Sequence, residues 1–221
     1  MRPAVLALLL PLAALLAAPA AAQVHVTWLW HLEQPIYWPA PDATGVRYER
    51  AWESLQAKAQ GAVHPENDLD EIFGKADRVD AYQGRLKNTV QALLGYPEAG
   101  AQVSYSGGLA ENIASLGAHG SLGYGSGWNS AIKEAQAWST SQGTPRLDVV
   151  IFPFHHALLP LVDARVVRME IATYKALYGD IWNAGRMSKG IFPSEMAFSE
   201  RISRPISGSG PSPTIAPGWA P

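Results

Sequence analysis

Residues 147–154, LDVVIFPF, with His155 and His156 directly after them, decide how this chain is read. Apart from Asp148 the run is apolar throughout, with no alternation of inward and outward residues. That pattern suits a strand covered on both faces, as in a parallel sheet. Three shorter runs share it: VHVTWLW (24–30), QVSYS (102–106) and KGIFP (189–193).

Helical patterns lie between these runs. Over 68–95 the apolar positions 69, 72, 73, 76, 79, 86, 90 and 93 follow three-and-four spacing. Asp68 and Glu71 form a capping-box variant at its start, Gly95 suits its end, and Gly74 and Gly84 weaken its middle. A second helix is expected over 157–177, with Leu158, Leu161, Val162, Ala164, Val166, Met169 and Ala172 on its apolar side, and a third over 130–139. Strands alternating with helices give βα units. No G-x-G-x-x-G turn follows the first strand, and polar residues gather just after each strand: His31 and Gln34, Glu111, His155 and His156, Glu195. Residues at the C-terminal ends of several strands are how a barrel builds its site. The fold class expected is therefore α/β, a (β/α) barrel with about four βα units present and the rest lacking.

The chain opens MRPAVLALLLPLAALLAAPAAAQ. A basic residue, a short apolar core and an A-x-A site ending at Ala22 predict a secretory signal peptide over 1–22 and a mature start at Gln23. Export to the periplasm or beyond follows, with no membrane attachment after cleavage. There is no cysteine, so stability rests on a packed core, for which 48% hydrophobic residues and eight tryptophans suffice. A formal charge of −2 without a basic block argues against nucleic acid as a partner. Residues 203–221 carry five prolines and no period, and are expected to form a disordered Pro/Ser/Gly-rich tail beyond a domain spanning 23–202.

Several of these residues suit sugar chemistry. In WHLEQPIYWP (30–39), His31 and Gln34 offer donors and acceptors for hydroxyls, while Tyr37 and Trp38 offer flat apolar faces; a loop packing its aromatics on the rim explains the same residues. His155 and His156 are consecutive, so only one of them can point into a given pocket. Glu195, after Pro193 and Ser194, reads as the first-turn acid of a helix capped by Ser194, where the helix dipole favours a negative charge. HPENDLDE (64–71) lacks the glycine and spacing of a calcium loop and reads as a helix start. His25 reads as an interior strand histidine, and no metal or other cofactor is expected.

Four of these segments together resemble glycoside hydrolase family 57. WHLEQP is similar to that family's opening motif, with Glu33 where a second histidine is common. YSGGLAENIASL (105–116) resembles its second region, FPFHHALLPLV (152–162) its third, and GIFPSEMAFSERI (190–202) the region of its catalytic glutamate, with Phe192 in place of a tryptophan. The resemblance implies a (β/α)7 barrel, a polysaccharide or oligosaccharide with α-linkages as substrate, and a retaining mechanism. It implies Glu195 as nucleophile, and His31, Gln34, Trp38, Glu111, His155 and His156 as substrate-binding residues.

Retaining hydrolysis uses two carboxyl groups ~5–5.5 Å apart. The family's acid follows the nucleophile region, yet no acidic residue occurs after Glu200. The general acid is therefore expected to be missing, the chain truncated or frameshifted near residue 202, and its hydrolase activity slight or nil. Two other readings compete: a metal-dependent polysaccharide deacetylase with His31, His155 and His156 as ligands, though without its H-x-x-x-H or Asp-Asp motifs, and a non-catalytic carbohydrate-binding fragment.

Overall fold

The computed structural model describes residues 26–41, 44–62, 68–208 and 214–215. The signal peptide, its cleavage point, His25, the first part of HPENDLDE and most of the proline-rich end lie outside the described residues.

All four expected strands form, and they run parallel in chain order. Strand β1 (Leu29–Leu32) pairs with β4 (Ala101–Tyr105), His31 lying opposite Ser104, and β4 pairs with β5 (Leu147–Val149). Ile151 then bridges to Ile191 in β6 (Gly190–Ile191), and β6 pairs with β7 (Thr214–Ile215). A short antiparallel pair, β2 (Trp38–Pro41) and β3 (Tyr48–Glu49), sits in the excursion after β1. Sequential parallel order is what repeated βα units produce. Among the described residues the strands make an open arc and not a closed barrel.

The deciding run 147–154 is buried almost throughout, yet only three of its residues are regular strand. It changes partner on the way: the Val150 N–H donates to Val103 of β4, and the Ile151 N–H to Gly190 of β6. The first strand starts later than expected, because Val26 and Trp28 are exposed and gain nothing from the core.

Helices cover the arc: α1 (Ala51–Ala59), α2 (Leu69–Gly74), α3 (Ala76–Gln83), α4 (Arg85–Ala92), α5 (Gly107–Ala118), α6 (Ser130–Ala137), α7 (Ala164–Ile181) and α8 (Ser203–Ser207). The expected long helix over 68–95 is three helices. It breaks at Lys75, whose backbone is extended, and again at Gly84. Half of its expected capping box forms: Asp68 Oδ1 accepts from the Glu71 N–H at 3.3 Å, while the Glu71 carboxylate pairs with Lys75.

Helix α7 corrects the second expectation. Asp163 caps it, accepting from the N–H groups of Arg165 and Val166, so the LPL turn before it lies outside the helix. Its buried face is Val167, Glu170, Ile171, Tyr174, Tyr178 and Ile181, while Met169 and Leu161 face solvent. A carboxylate and two tyrosines in the buried stripe disguised it.

The first residues of the segment expected to be a disordered tail form a helix. Ser203–Ser207 is helical, packs against α7, and buries Pro205 and Ile206. Among the described residues no helix is long and apolar enough to cross a membrane.

Candidate functional site at the strand ends

Three segments converge where β1, β5 and β6 end. His31 projects from near the C-terminal end of β1, and its Nδ1 lies 2.8 Å from Oγ of Ser104, its cross-strand neighbour. Its Nε2 faces the Nε2 of His156 at 3.2 Å. The same His156 nitrogen is 3.4 Å from Glu195 Oε1. Phe152 lies against both histidine rings, with centroids 5.0 and 5.3 Å away, and Phe192 is 5.6 Å from His31. An aromatic floor under polar tips restricts the rings and leaves their nitrogens accessible.

The backbone here is strained. The described residues other than glycine with positive φ are Leu122, His156, Glu195 and Met196, and three of these four belong to this site. Left-handed backbone costs an ordinary residue about 1–2 kcal/mol. The expectation that Ser194 caps a helix and Glu195 opens it is corrected by this conformation. Glu195 has φ 56° in a single 3-10 turn, Ser194 Oγ is buried without a partner, and no helix dipole supports the carboxylate. The turn instead lifts Glu195 outward, where its side chain is 67% exposed.

Glu33 is the residue that sequence reasoning missed, although WHLEQP contains it. It follows His31 by two positions, which places both on one side of an extended chain. Burial raises its carboxyl above the usual range; His156 and a hydrogen bond with Ser106 oppose that, and the Glu195 charge adds to it. His31 is held below its ordinary value by burial and by His156, against the pull of Glu195.

The other expected residues are elsewhere. Gln34 has both ends occupied: its Nε2 donates to the Tyr82 hydroxyl at 3.2 Å, and the Tyr37 hydroxyl donates to its Oε1. Trp38 is half-buried in β2, and Tyr37 stands edge-on to Phe73. Glu111 pairs with Arg50 at 3.1 Å. His155 points away from His156, its Nδ1 2.8 Å from Glu170 Oε1 while its backbone N–H donates to Glu170 Oε2 at 2.8 Å. Glu170, inside the buried stripe of α7, was the second residue missed; an acid in register with Val167, Ile171 and Tyr174 was its signal. A cleft of ≈ 600 Å³ lined by Gly74, Val79, Asp80, Gln83, Leu122 and Gly123 contains none of these residues.

The glycines of YSGGLAE hold the site together. A Cβ on Gly107 would stand 2.3 Å from the Phe154 ring, and one on Gly108 3.0 Å from the Gln34 carbonyl oxygen. The Gly107 N–H donates to the Phe154 carbonyl, and Asn112 donates to the Pro35 carbonyl at 3.0 Å. Helix α5 thereby fixes the segments that carry Glu33 and His156.

No protein-family model matches the chain. Over 218 residues it is 27% identical to a protein named alpha-amylase from Niallia circulans, a match that takes in 84% of this chain. The chain spans only 16% of that relative's length. A crystal structure of a 4-alpha-glucanotransferase from Thermococcus litoralis aligns with 83% of this chain and 21% of its own, at 14% identity and a TM-score of 0.49.

Proposed function

We propose that this chain carries part of the active site of an exported glycoside hydrolase or glucanotransferase acting on α-linked polysaccharide by a retaining mechanism, with Glu195 as nucleophile. The observation that carries the reading is the setting of Glu195: a solvent-open carboxylate on strained backbone at a strand's C-terminal end, 3.4 Å from His156. The likeness to a protein named alpha-amylase supports the substrate class. The four motifs in family 57 order support the mechanism.

Glu33 lies in the field of His156 and Glu195, and burial raises its carboxyl against the opposing effects of His156 and Ser106. The nucleophile is read with a fluoride leaving group, which departs without protonation, whereas a sugar hydroxyl does not. Release of fluoride from an α-glucosyl fluoride is lost in Glu195→Gln. Fluoride release that survives Glu195→Gln ends the nucleophile assignment.

A further inference from the structure

The same three side chains have a second chemistry, which does not depend on the glycan reading. One ring nitrogen each of His31 and His156 and a carboxylate oxygen of Glu195 all lie within 4.8 Å of one another. Two of the separations are 3.2 and 3.4 Å. Ligands ~2.0–2.1 Å from a tetrahedral zinc ion stand about 3.3 Å apart, so these two edges already have the right length. The third can close by rotation of the exposed Glu195 side chain.

The surroundings match a ligand set. An N–H on His31 Nδ1 that donates to the buried Ser104 Oγ leaves the Nε2 lone pair aimed into the cluster. Metal-bound histidines are held by such a bond on their other nitrogen. Two nitrogens facing each other at 3.2 Å, with a carboxylate beside them, bring three lone pairs to one point once the proton shared between the nitrogens is displaced by a cation. Phe152 and Phe192 close one side with apolar surface, and the exposed carboxylate leaves another open for water or ligand. Two of the three side chains are presented from left-handed backbone, at φ 60° and 56°. Two imidazoles and one carboxylate suit Zn²⁺ and its transition-metal neighbours, whereas Mg²⁺ and Ca²⁺ require mostly oxygen.

We infer that His31, His156 and Glu195 form a three-ligand site for a zinc-class divalent cation, with a fourth position open to solvent. Sequence reading set His155 beside the other two histidines. The geometry replaces it with Glu195, because His155 is committed to Glu170. An ion seated here would occupy the carboxylate that the glycosidase reading needs free.

The test uses the 221-residue chain, freed of metal and titrated with Zn²⁺ by calorimetry and with Co²⁺ by visible absorption. The expected result is one ion per chain, with the intense bands of four-coordinate Co²⁺, and no competition from Mg²⁺. His31→Ala and His156→Ala each weaken binding by more than about 100-fold, while His119→Gln, a histidine outside the cluster, leaves it unchanged. Ser104→Ala leaves every ligand in place and weakens binding by about 10–100-fold, which keeps the test decisive if a histidine variant unfolds. Absence of binding, six-coordinate Co²⁺ bands, or affinity indifferent to His31, His156 and Ser104 overturns the assignment. Fluoride release reads the glycan proposal separately. Metal binding without it leaves this site standing and removes the nucleophile, and fluoride release without metal binding does the reverse.

Discussion

The two ends of the parallel strands are built on opposite terms. At the end where β4 and β5 begin, buried Arg146 donates to the carbonyl oxygens of Leu93, Tyr96, Ala99 and Ser139, at 2.6–3.3 Å. It ties the chain after α4 to the strand that follows α6, and a Cβ on Gly100 would meet the Arg146 carbonyl oxygen at 2.9 Å. At the opposite end, His156, Glu195 and Met196 sit on left-handed backbone and Ser194 Oγ is buried without a partner. One end fastens backbone carbonyls to a buried guanidinium on unstrained backbone, although Gln102 Oε1 and Asp148 Oδ1 nearby are buried without a partner. The other presents His156 and Glu195 from strained backbone, as expected where function and not stability sets the residues.

Substitution at each end should therefore have opposite consequences. The largest effect belongs to Arg146→Ala, which leaves several buried carbonyls unpaired; a loss of about 3 kcal/mol or more in urea unfolding is expected. A loss below ~1 kcal/mol would mean that water replaces the guanidinium and that the closed end is not closed. At the open end, Glu195→Gly relieves the left-handed penalty but adds chain entropy to the unfolded state. Stability is expected to stay level or rise by up to about 1 kcal/mol, while activity is lost. A clear destabilisation would show that Glu195 supports the fold.

The smallest effect concerns His155, which faces the closed side of the same loop. The hydrogen bond with Glu170 raises the His155 pKa against its burial. Burial pushes Glu170 up, but the side-chain and backbone bonds of His155 outweigh it and leave that carboxyl lowered. The histidine's contribution is complete below its ordinary 6.5 and fades as pH rises through its raised folded value. The carboxylate's is complete above its ordinary 4.5 and fades as pH falls through its lowered folded value. Both are present between those ordinary values. Because the His155 side chain is 49% exposed, solvent screens the pair and the effect is small. Glu170→Gln should flatten the pH dependence of stability across this range. A profile unchanged by that substitution would separate His155 from Glu170.

The open end was the more legible of the two in sequence. Runs of apolar residues stopping at a histidine or glutamate located β1, β5 and β6 and set His31, the His155–His156 pair and Glu195 at the ends of those strands, without saying which of the two consecutive histidines turns toward the others. What was hidden depends on details that pattern does not carry. The left-handed turn at Glu195 looks like an ordinary helix start, because Pro-Ser-Glu is also how helices begin. Gln34 looks like a sugar ligand, yet Tyr37 and Tyr82 occupy both ends of its amide. Glu33 was passed over as a departure from a motif, although its spacing from His31 put it beside the cluster. Arg146, at the closed end, gave no signal at all: its partners are backbone carbonyls, three of them from a distant segment, which no residue type announces.

The most direct test of the central claim is covalent capture at Glu195. The 221-residue chain is incubated with a 5-fluoro-α-glucosyl fluoride, which forms a glycosyl-enzyme without needing a proton donor, and the digested protein is mapped by mass spectrometry. The account predicts one adduct per chain on the peptide containing Glu195, absent in Glu195→Gln. An adduct on another carboxylate, or none on the folded wild-type chain, would contradict it.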